Sequence, residues 1–174
     1  MEKKFELTDK FVFNTFGIKL FQIKCTKSFK YAKEGDLGGY VEKDENLDQE
    51  SNAWVYGDAW VYGNARVSGD ARVYGDARVY GDAWVSGDAR VSGYADIEND
   101  NNHCGFDCFG SCNRHTHAYL TKDNKVEITC GCFRGSIEEF EKKVEKTHSG
   151  TIYEKQYKAI INVIKIKFGL TDLI

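Results

Sequence analysis

AWVYGDAWVYGNARVSGDARVYGDARVYGDAWVSGDARVSGYADIEND, residues 53–100, repeats one six-residue phrase eight times without interruption. A short fixed period indicates that each unit is one structural step stacked on the preceding one. A valine, replaced by isoleucine in the last unit, recurs every sixth residue, and an alanine stands two positions before it. Because residues i and i+2 of a strand point to the same face, each unit sends one small and one β-branched side chain inward. The pattern predicts a parallel β-helix whose coils turn at Gly-Asp or Gly-Asn.

The period extends upstream with one interruption. Val41 and Leu47 are six residues apart, whereas Leu47 and Val55 are eight apart, which predicts a two-residue bulge around 49–52. About ten units, taken three to a triangular coil, predict a short prism of little more than three coils. The repeat resembles the hexapeptide-repeat proteins. That resemblance implies a left-handed coil, although the general rule for parallel crossovers favours the right hand.

The chain divides into three predicted parts. Residues 1–37 alternate apolar and polar positions in FVFNTF and IKLFQIKC, and we expect them to form a β cap over the open end of the prism. Residues 38–100 form the β-helix, and residues 101–174 leave the repeat for a small α+β module. The predicted fold class is therefore mainly β: a short left-handed parallel β-helix with an N-terminal β cap and a small C-terminal α+β module.

The C-terminal module contains two strand patterns followed by two helix patterns. HTHAYL and KVEITCGC read as strands around a two-residue turn at Asp123-Asn124. Ser136 and Glu139 form a capping box that begins a helix in SIEEFEKKVEKTH. A second helix is predicted over 154–168, because apolar side chains recur there along one helical stripe.

Charge and hydropathy limit the classes of partner. The net charge of −3 is too small for a nucleic-acid binder or an acidic DNA mimic, so we expect no direct nucleic-acid contact. The sequence has no apolar run of about 18 residues and no cleavable signal in MEKKFELTDK, which favours a soluble intracellular protein without a membrane partner. Charge is uneven, however: residues 1–33 carry eight Lys against three acids, and residues 34–52 carry seven acids against one Lys. The acidic segment is either a solvated turn or a partner-binding patch at Asp44, Glu45 and Asp48.

The repeat region has the architecture of an enzyme family but not its chemistry. Hexapeptide β-helices are often acyltransferases or zinc carbonic anhydrases, whose reactions need a general base or metal ligands, usually His. Residues 38–100 contain neither His nor Cys, and no long loop interrupts the units. Aspartates at the turns are favoured there for conformational reasons. We therefore predict no catalytic residues, no bound organic cofactor and no enzymatic activity.

Stacking of the coils predicts ordered side-chain ladders on the exterior. At three units per coil, residues 18 apart lie over one another, so that Arg and Trp side chains stack in three columns. The columns are Trp54, Arg72 and Arg90; Trp60 and Arg78; and Arg66 and Trp84. Such ladders either stabilise the prism alone or present a Trp- and Arg-rich surface of the kind found at protein interfaces.

The densest chemistry lies in HCGFDCFGSCNRHTH, residues 103–117, followed by Cys-Gly-Cys at 130–132. Thiolate and imidazole are the ligands that tetrahedral zinc prefers, so the segment predicts a structural zinc site. The predicted ligands are Cys104, Cys108, Cys112, His115 and His117, with His103, Cys130 and Cys132 as alternatives. A two-residue turn at 123–124 would also place His117 opposite Cys130 and His115 opposite Cys132. The remaining alternatives are surface His with buried reduced Cys, and a redox disulfide.

Two longer motifs carry a more specific resemblance. GDLGGYVEKDENLDQESNAWVYGDAWVYGNARVSGDARVYGDA resembles a family of repeat proteins common in bacteriophages and prophages, and KDNKVEITCGCFRGSIEEFEKKVEKTH resembles the C-terminal module attached to that repeat. With its Cys-rich insert, the whole chain is similar to a zinc-containing type II-A anti-CRISPR protein.

This resemblance implies a non-enzymatic inhibitor in the host bacterial cytoplasm. It would bind the type II CRISPR effector nuclease directly and block target DNA engagement, and the acidic patch is a candidate contact with the positively charged nucleic-acid channel of such nucleases. The alternatives are a phage structural or scaffolding protein, which predicts oligomers, and an acyltransferase, which predicts a trimer. The sequence leaves the oligomeric state open.

Overall fold

The computed structural model describes residues 3–170. The chain forms two compact units, one ending at Asp100 and the other beginning at Asn101. The strands of the first unit are β1 Phe5–Phe13, β2 Lys19–Cys25, β3 Leu37–Val41, β4 Trp54–Val55, β5 Trp60–Val61, β6 Arg66–Val67, β7 Arg72–Val73, β8 Arg78–Val79, β9 Trp84–Val85, β10 Arg90–Val91 and β11 Asp96–Ile97, with a 3-10 turn at Asp44–Asn46.

The first unit is a β-solenoid of three turns whose short strands stack in parallel on three faces. One face carries β3-β5-β8-β11, the second β4-β7-β10, and the third β6-β9. Strands pair with the unit 18 residues away, as in Trp60↔Arg78 and Arg66↔Trp84, which confirms the predicted ladders. Every repeat alanine and valine is at most 2% exposed, so the predicted inward positions are confirmed.

The turns of the solenoid stack as closely as its strands. Gly63 has φ +69°, and a Cβ built on it would lie 3.1 Å from the backbone nitrogen of Gly81 in the next coil. Only glycine combines this left-handed conformation with so close an approach. Asn64 donates to the carboxylate of Asp82 at 3.0 Å, which links the same two turns. The repeated Gly-Asx pair therefore sets the spacing between coils.

The first coil contains the predicted bulge. Leu47 pairs with Val67, twenty positions on, whereas Val55 pairs with Val73, eighteen positions on. The two additional residues fall between these positions, as the eight-residue gap predicted. At this end β1 and β2 form an antiparallel hairpin, and β2 pairs with β3, so the hairpin extends one face of the solenoid.

Trp54 corrects one sequence-based expectation. Its ladder was predicted to be exterior, yet Trp54 is 1% exposed. Its ring packs edge-on against Phe5, at a centroid distance of 6.4 Å, and against Phe29, at 5.5 Å. Residues outside the repeat thus cover the first position of that column. Periodicity within the repeat could not indicate this cover.

The second unit is a four-stranded antiparallel sheet with two helices on one face. Its elements are β12 His103–Phe109, β13 Arg114–Leu120, β14 Val126–Cys130, β15 Phe133–Ser136, α1 Ile137–His148 and α2 Ile152–Lys167, preceded by a 3-10 turn at Asp100–Asn102. Both predicted helices are present. The capping box of α1 is confirmed, because the Ser136 side chain accepts from the Glu139 amide and the Glu139 carboxylate accepts from the Ser136 amide.

The helices pack through their predicted apolar stripes. Val144 of α1 and Ile160 and Ile164 of α2 lie in one core with Ile128 of the sheet. Helix α2 begins two residues earlier than predicted, because the side chain of Thr151 caps the amide of Glu154. Neither of the two α-helices in residues 3–170 is long and apolar enough to cross a membrane.

Candidate functional site

The three predicted partner-binding residues lie around an open groove on the first unit. Asp44, Glu45 and Asp48 line it together with Arg66 and Trp84, and its volume is about 440 Å³. Asp44 and Glu45 belong to the 3-10 turn after β3, whereas Arg66 and Trp84 come from the adjacent solenoid face. The structure therefore brings together two features that the sequence separates: the acidic segment and one Arg/Trp column.

Asn46 fixes the acidic turn to the solenoid. Its side chain is fully buried, and its amide donates to the carbonyls of Gly63 at 3.2 Å and Ala65 at 2.9 Å. Its side-chain oxygen accepts from the backbone of Lys43 at 3.0 Å. Because Asn46 is anchored by three hydrogen bonds, the two preceding carboxylates are held at the rim of the groove.

The carboxylates have different local partners. Asp44 forms an ion pair with Lys3 at 2.5 Å, and this hydrogen bond raises the pKa of the Lys3 ammonium. Asp48 accepts the backbone N–H of Glu50 at 3.0 Å, as is typical of Asp at a turn. Asp44 therefore has part of its charge balanced within the chain.

Trp84 gives the groove its apolar surface. The residue is 58% exposed, a high value for this side chain, and its indole N–H donates to the Ser68 hydroxyl at 3.1 Å. That hydrogen bond fixes the indole edge and leaves ring surface accessible beside the acidic turn. An aromatic face next to carboxylates can accept a guanidinium or ammonium by stacking and charge pairing together.

The predicted zinc ligands lie on the sheet of the second unit, but not on one face of it. Gly105 pairs with His117, and Cys104 pairs with Ala118, so alternation along the strands separates the imidazoles from Cys104. Cys104 packs against the core under the helices. Cys108 and Cys112, in contrast, are exposed, at the end of β12 and in the loop that follows it.

The cross-strand arrangement proposed for the hairpin is wrong by one residue. Thr116, not His117, lies opposite Cys130, and His117 lies opposite Thr129. The connection is longer than the predicted two-residue turn, since Thr121 donates its backbone N–H to the carbonyl of Lys125. A one-residue change of register moves every side chain to the other face. Cys130 therefore lies in the helix-side core, on the face opposite the imidazoles.

The three imidazoles lie side by side: His117 has its ring centre 5.2 Å from that of His103 and 5.7 Å from that of His115. His103 Nδ1 lies 3.0 Å from His117 Nε2, and His115 Nδ1 lies 2.6 Å from the Asp107 carboxylate. His117 is 1% exposed. The Nε2 atom of His115 is buried over Gly105 without a hydrogen-bond partner. A carboxylate on one nitrogen and an unpartnered second nitrogen is the arrangement of many metal-binding histidines.

The structure does not bring the five predicted ligands together on one face of the sheet. Burial raises the pKa of the Cys104 thiol to about 11, so this thiol is neutral at pH 7 when no metal is bound. No group of three or more His, Cys, Asp or Glu side chains within residues 3–170 is arranged to hold a metal ion.

Zinc binding stays a prediction from the sequence, and elemental analysis tests it. Protein purified without chelators should contain about one zinc per chain, and chelation should lower its melting temperature, because a metal bound by the folded state alone adds its binding energy to stability. Background zinc content, with a melting temperature insensitive to chelator, would contradict the prediction.

Comparison with known proteins supports the repeat fold of the first unit. A family model described as the YdcK beta solenoid repeat matches residues 59–72 and 71–87. A comparison with curated proteins found no match to the chain. The repeat match and the stacked strands agree that the first unit is a β-solenoid.

Proposed function

We propose that the protein is a non-enzymatic, phage-encoded inhibitor that binds the type II CRISPR effector nuclease in the cytoplasm of its bacterial host. Binding would block engagement of target DNA. The observation that carries the proposal is the groove in which Trp84 lies beside Asp44, Glu45 and Asp48. The likeness of the sequence to phage repeat proteins and to a type II-A anti-CRISPR protein supplies the biological context.

The chemistry of the groove favours a basic protein surface. Nucleases of this class hold nucleic acid in a positively charged channel, so Arg and Lys side chains are abundant there. A carboxylate pair on a fixed turn attracts such side chains, and an exposed indole adds stacking that ions alone lack. A Trp at the centre of a contact is also the kind of residue that carries much of an interface's binding energy.

Two finer features of the fold belong to the same proposal. We propose that the solenoid is left-handed, as in the hexapeptide-repeat proteins. We also propose that residues 1–37 act as its β cap: Phe5, Ile23 and Cys25 are all fully buried at the end where the first coil begins.

Charge reversal in the groove tests the proposed contact. Asp44→Lys, Glu45→Lys and Asp48→Lys together should weaken binding to a purified type II nuclease on the order of tenfold or more, and should flatten the dependence of affinity on salt. Reversal of Asp58, Asp88 and Asp123, which are exposed on other turns, changes the net charge equally; it is the matched control and should leave affinity nearly unchanged. Equal losses from both variants would mean that net charge, not the groove, determines binding.

Trp84→Ala separates stacking from charge. It should lower affinity about tenfold through faster dissociation while leaving the salt dependence unchanged, because it removes no charge.

Inhibition of target cleavage by the unaltered protein should saturate near equimolar inhibitor. Inhibition at far lower ratios would indicate an enzyme, and no binding to any type II nuclease, together with oligomers in solution, would favour a phage scaffolding protein.

A further inference from the structure

Two of the five cysteines of the second unit, Cys130 and Cys132, lie at one end of its sheet, where β14 turns into β15. Cys130 ends β14, and Gly131 and Cys132 form the turn before β15. Cys130 is 6% exposed, whereas Cys132 is exposed to solvent. Both line one small cavity of about 90 Å³, which also borders Arg114 and Tyr157. A buried thiol and an accessible thiol thus border the same small, open cavity.

From this arrangement we infer that Cys130 and Cys132 form a reversible disulfide when the protein meets a peroxide. Only Gly131 separates the two cysteines, and two residues of chain span at most about 7 Å. Disulfide-bonded Cα atoms are usually about 4.4–6.8 Å apart, so the bridge needs no movement of distant chain. The inference does not depend on the proposed partner.

The surroundings of Cys130 hold its sulfur in place for the second step of disulfide formation, in which it attacks the oxidised Cys132 sulfur. Its sulfur lies 3.3 Å from the Thr116 hydroxyl, which donates to it, and 3.7 Å from the Tyr157 hydroxyl. These contacts hold the Cys130 side chain at the cavity that Cys132 also borders. Gly131, with φ +60°, lets the Arg114 guanidinium lie across the turn, where a Cβ would approach within 2.6 Å of it. The Arg114 guanidinium therefore lies against Gly131, the residue between the two cysteines.

The reaction balances with peroxide as the only added reagent. The accessible Cys132 sulfur attacks one peroxide oxygen, the O–O bond breaks, and one water leaves to give a sulfenic acid. The Cys130 sulfur then attacks the Cys132 sulfur, the S–O bond breaks, and a second water leaves as the disulfide forms. Two thiols are oxidised and one hydrogen peroxide is reduced to two waters. A small strained ring of this kind is readily reopened by a dithiol.

Peptide mapping tests the inference, because trypsin separates the cysteines cleanly. Cleavage after Lys125 and Arg134 gives a peptide, residues 126–134, that holds Cys130 and Cys132 alone, whereas Cys104, Cys108 and Cys112 share the peptide 91–114. Reduced, chelator-treated full-length protein is exposed to hydrogen peroxide and then alkylated with N-ethylmaleimide in denaturant. We expect peptide 126–134 to lose two hydrogens and take up no label, and dithiothreitol to restore both labelling sites.

Variants distinguish the Cys130–Cys132 disulfide from a disulfide with a cysteine of residues 91–114. Cys132→Ser should leave Cys130 labelled after peroxide, whereas Cys112→Ser should leave the disulfide intact. A cross-link between peptides 126–134 and 91–114 would overturn the inference in favour of pairing with the hairpin loop. Full labelling of 126–134 after peroxide, with or without oxidation elsewhere, would overturn it as well.

Discussion

Val79→Asp should lower the free energy of unfolding by about 4 kcal/mol or more, because it buries a carboxylate with no partner at the middle of the solenoid. Val79 is fully buried and stacks between Val61 and Ile97 in the neighbouring coils. Chemical denaturation followed by circular dichroism measures the loss. If the variant does not fold, Val79→Ala gives a graded version, with an expected loss of about 2 kcal/mol from the cavity.

The adjacent position supplies the control. The Arg78 guanidinium lies 4.7 Å from the centre of the Trp60 ring, on the outside of the coil. Arg78→Ala removes this partly exposed cation–π contact and should cost under about 1 kcal/mol. Comparable losses from Val79→Asp and Arg78→Ala would mean that the inward and outward faces are not as described.

The solenoid could be predicted from the sequence because its structure repeats as often as its sequence does. A single rule, small and β-branched side chains at alternate positions before a Gly-Asx turn, specifies inward faces, strand register and coil spacing together. The eight-residue gap between Leu47 and Val55 predicted the bulge for the same reason: any departure from the period must be accommodated between two fixed positions.

The sheet of the second unit shows where such reasoning stops. Its cysteines and histidines are evident in the sequence, but which of them share a face depends on how β13 pairs with β14. That register depends on the length of the loop between the two strands. The turn at 121–125 contains one residue more than an ideal two-residue hairpin allows, and that residue separates Cys130 from His117. Residue type alone cannot reveal such a difference, because the same side chains fit either register.

The acidic groove could be predicted from the sequence only in part. The charge run at 34–52 and the Arg66/Trp84 column were each apparent from the sequence. Their contact depends on Asn46, whose amide binds the carbonyls of Gly63 and Ala65, one coil further on. An asparagine in an acidic turn carries no sequence signal for that role, so the groove itself could be found only in the structure.

Lys4 has a structural role that the sequence analysis did not predict. It is 6% exposed, and its ammonium donates to three backbone carbonyls of the bulge: Asp48 at 2.5 Å, Ser51 at 2.8 Å and Ala53 at 2.8 Å. Its backbone N–H donates to the Gln49 side chain at 2.8 Å. Lys4 is one of eight lysines in residues 1–33, and in the sequence it looks like a solvent-exposed charge. Only the fold distinguishes it from the neighbouring lysines.

Lys4→Met should therefore destabilise the protein by about 3 kcal/mol or more, because it removes the donor from one buried and two partly buried hydrogen bonds to carbonyls while keeping the length of the side chain. Lys3→Met is the matched control. Lys3 makes a single ion pair with Asp44, and its side chain is 61% exposed, so its loss should cost under about 1 kcal/mol. Thermal and chemical denaturation of the two variants measure both values, and equal losses would show that Lys4 does not hold the bulge.

The pH dependence of stability gives Lys4 a second signature. Burial lowers the pKa of its ammonium to about 8, against the ordinary 10.5 of the unfolded chain. Between these two values the unfolded chain binds a proton that the folded chain does not, so the free energy of unfolding rises with pH over this window. The stability difference between the unaltered protein and Lys4→Met should accordingly widen as pH increases from about 8 towards 10.5. A constant difference across that window would mean that the hydrogen bonds to the three carbonyls offset the cost of burying the Lys4 ammonium, so that its pKa is not lowered.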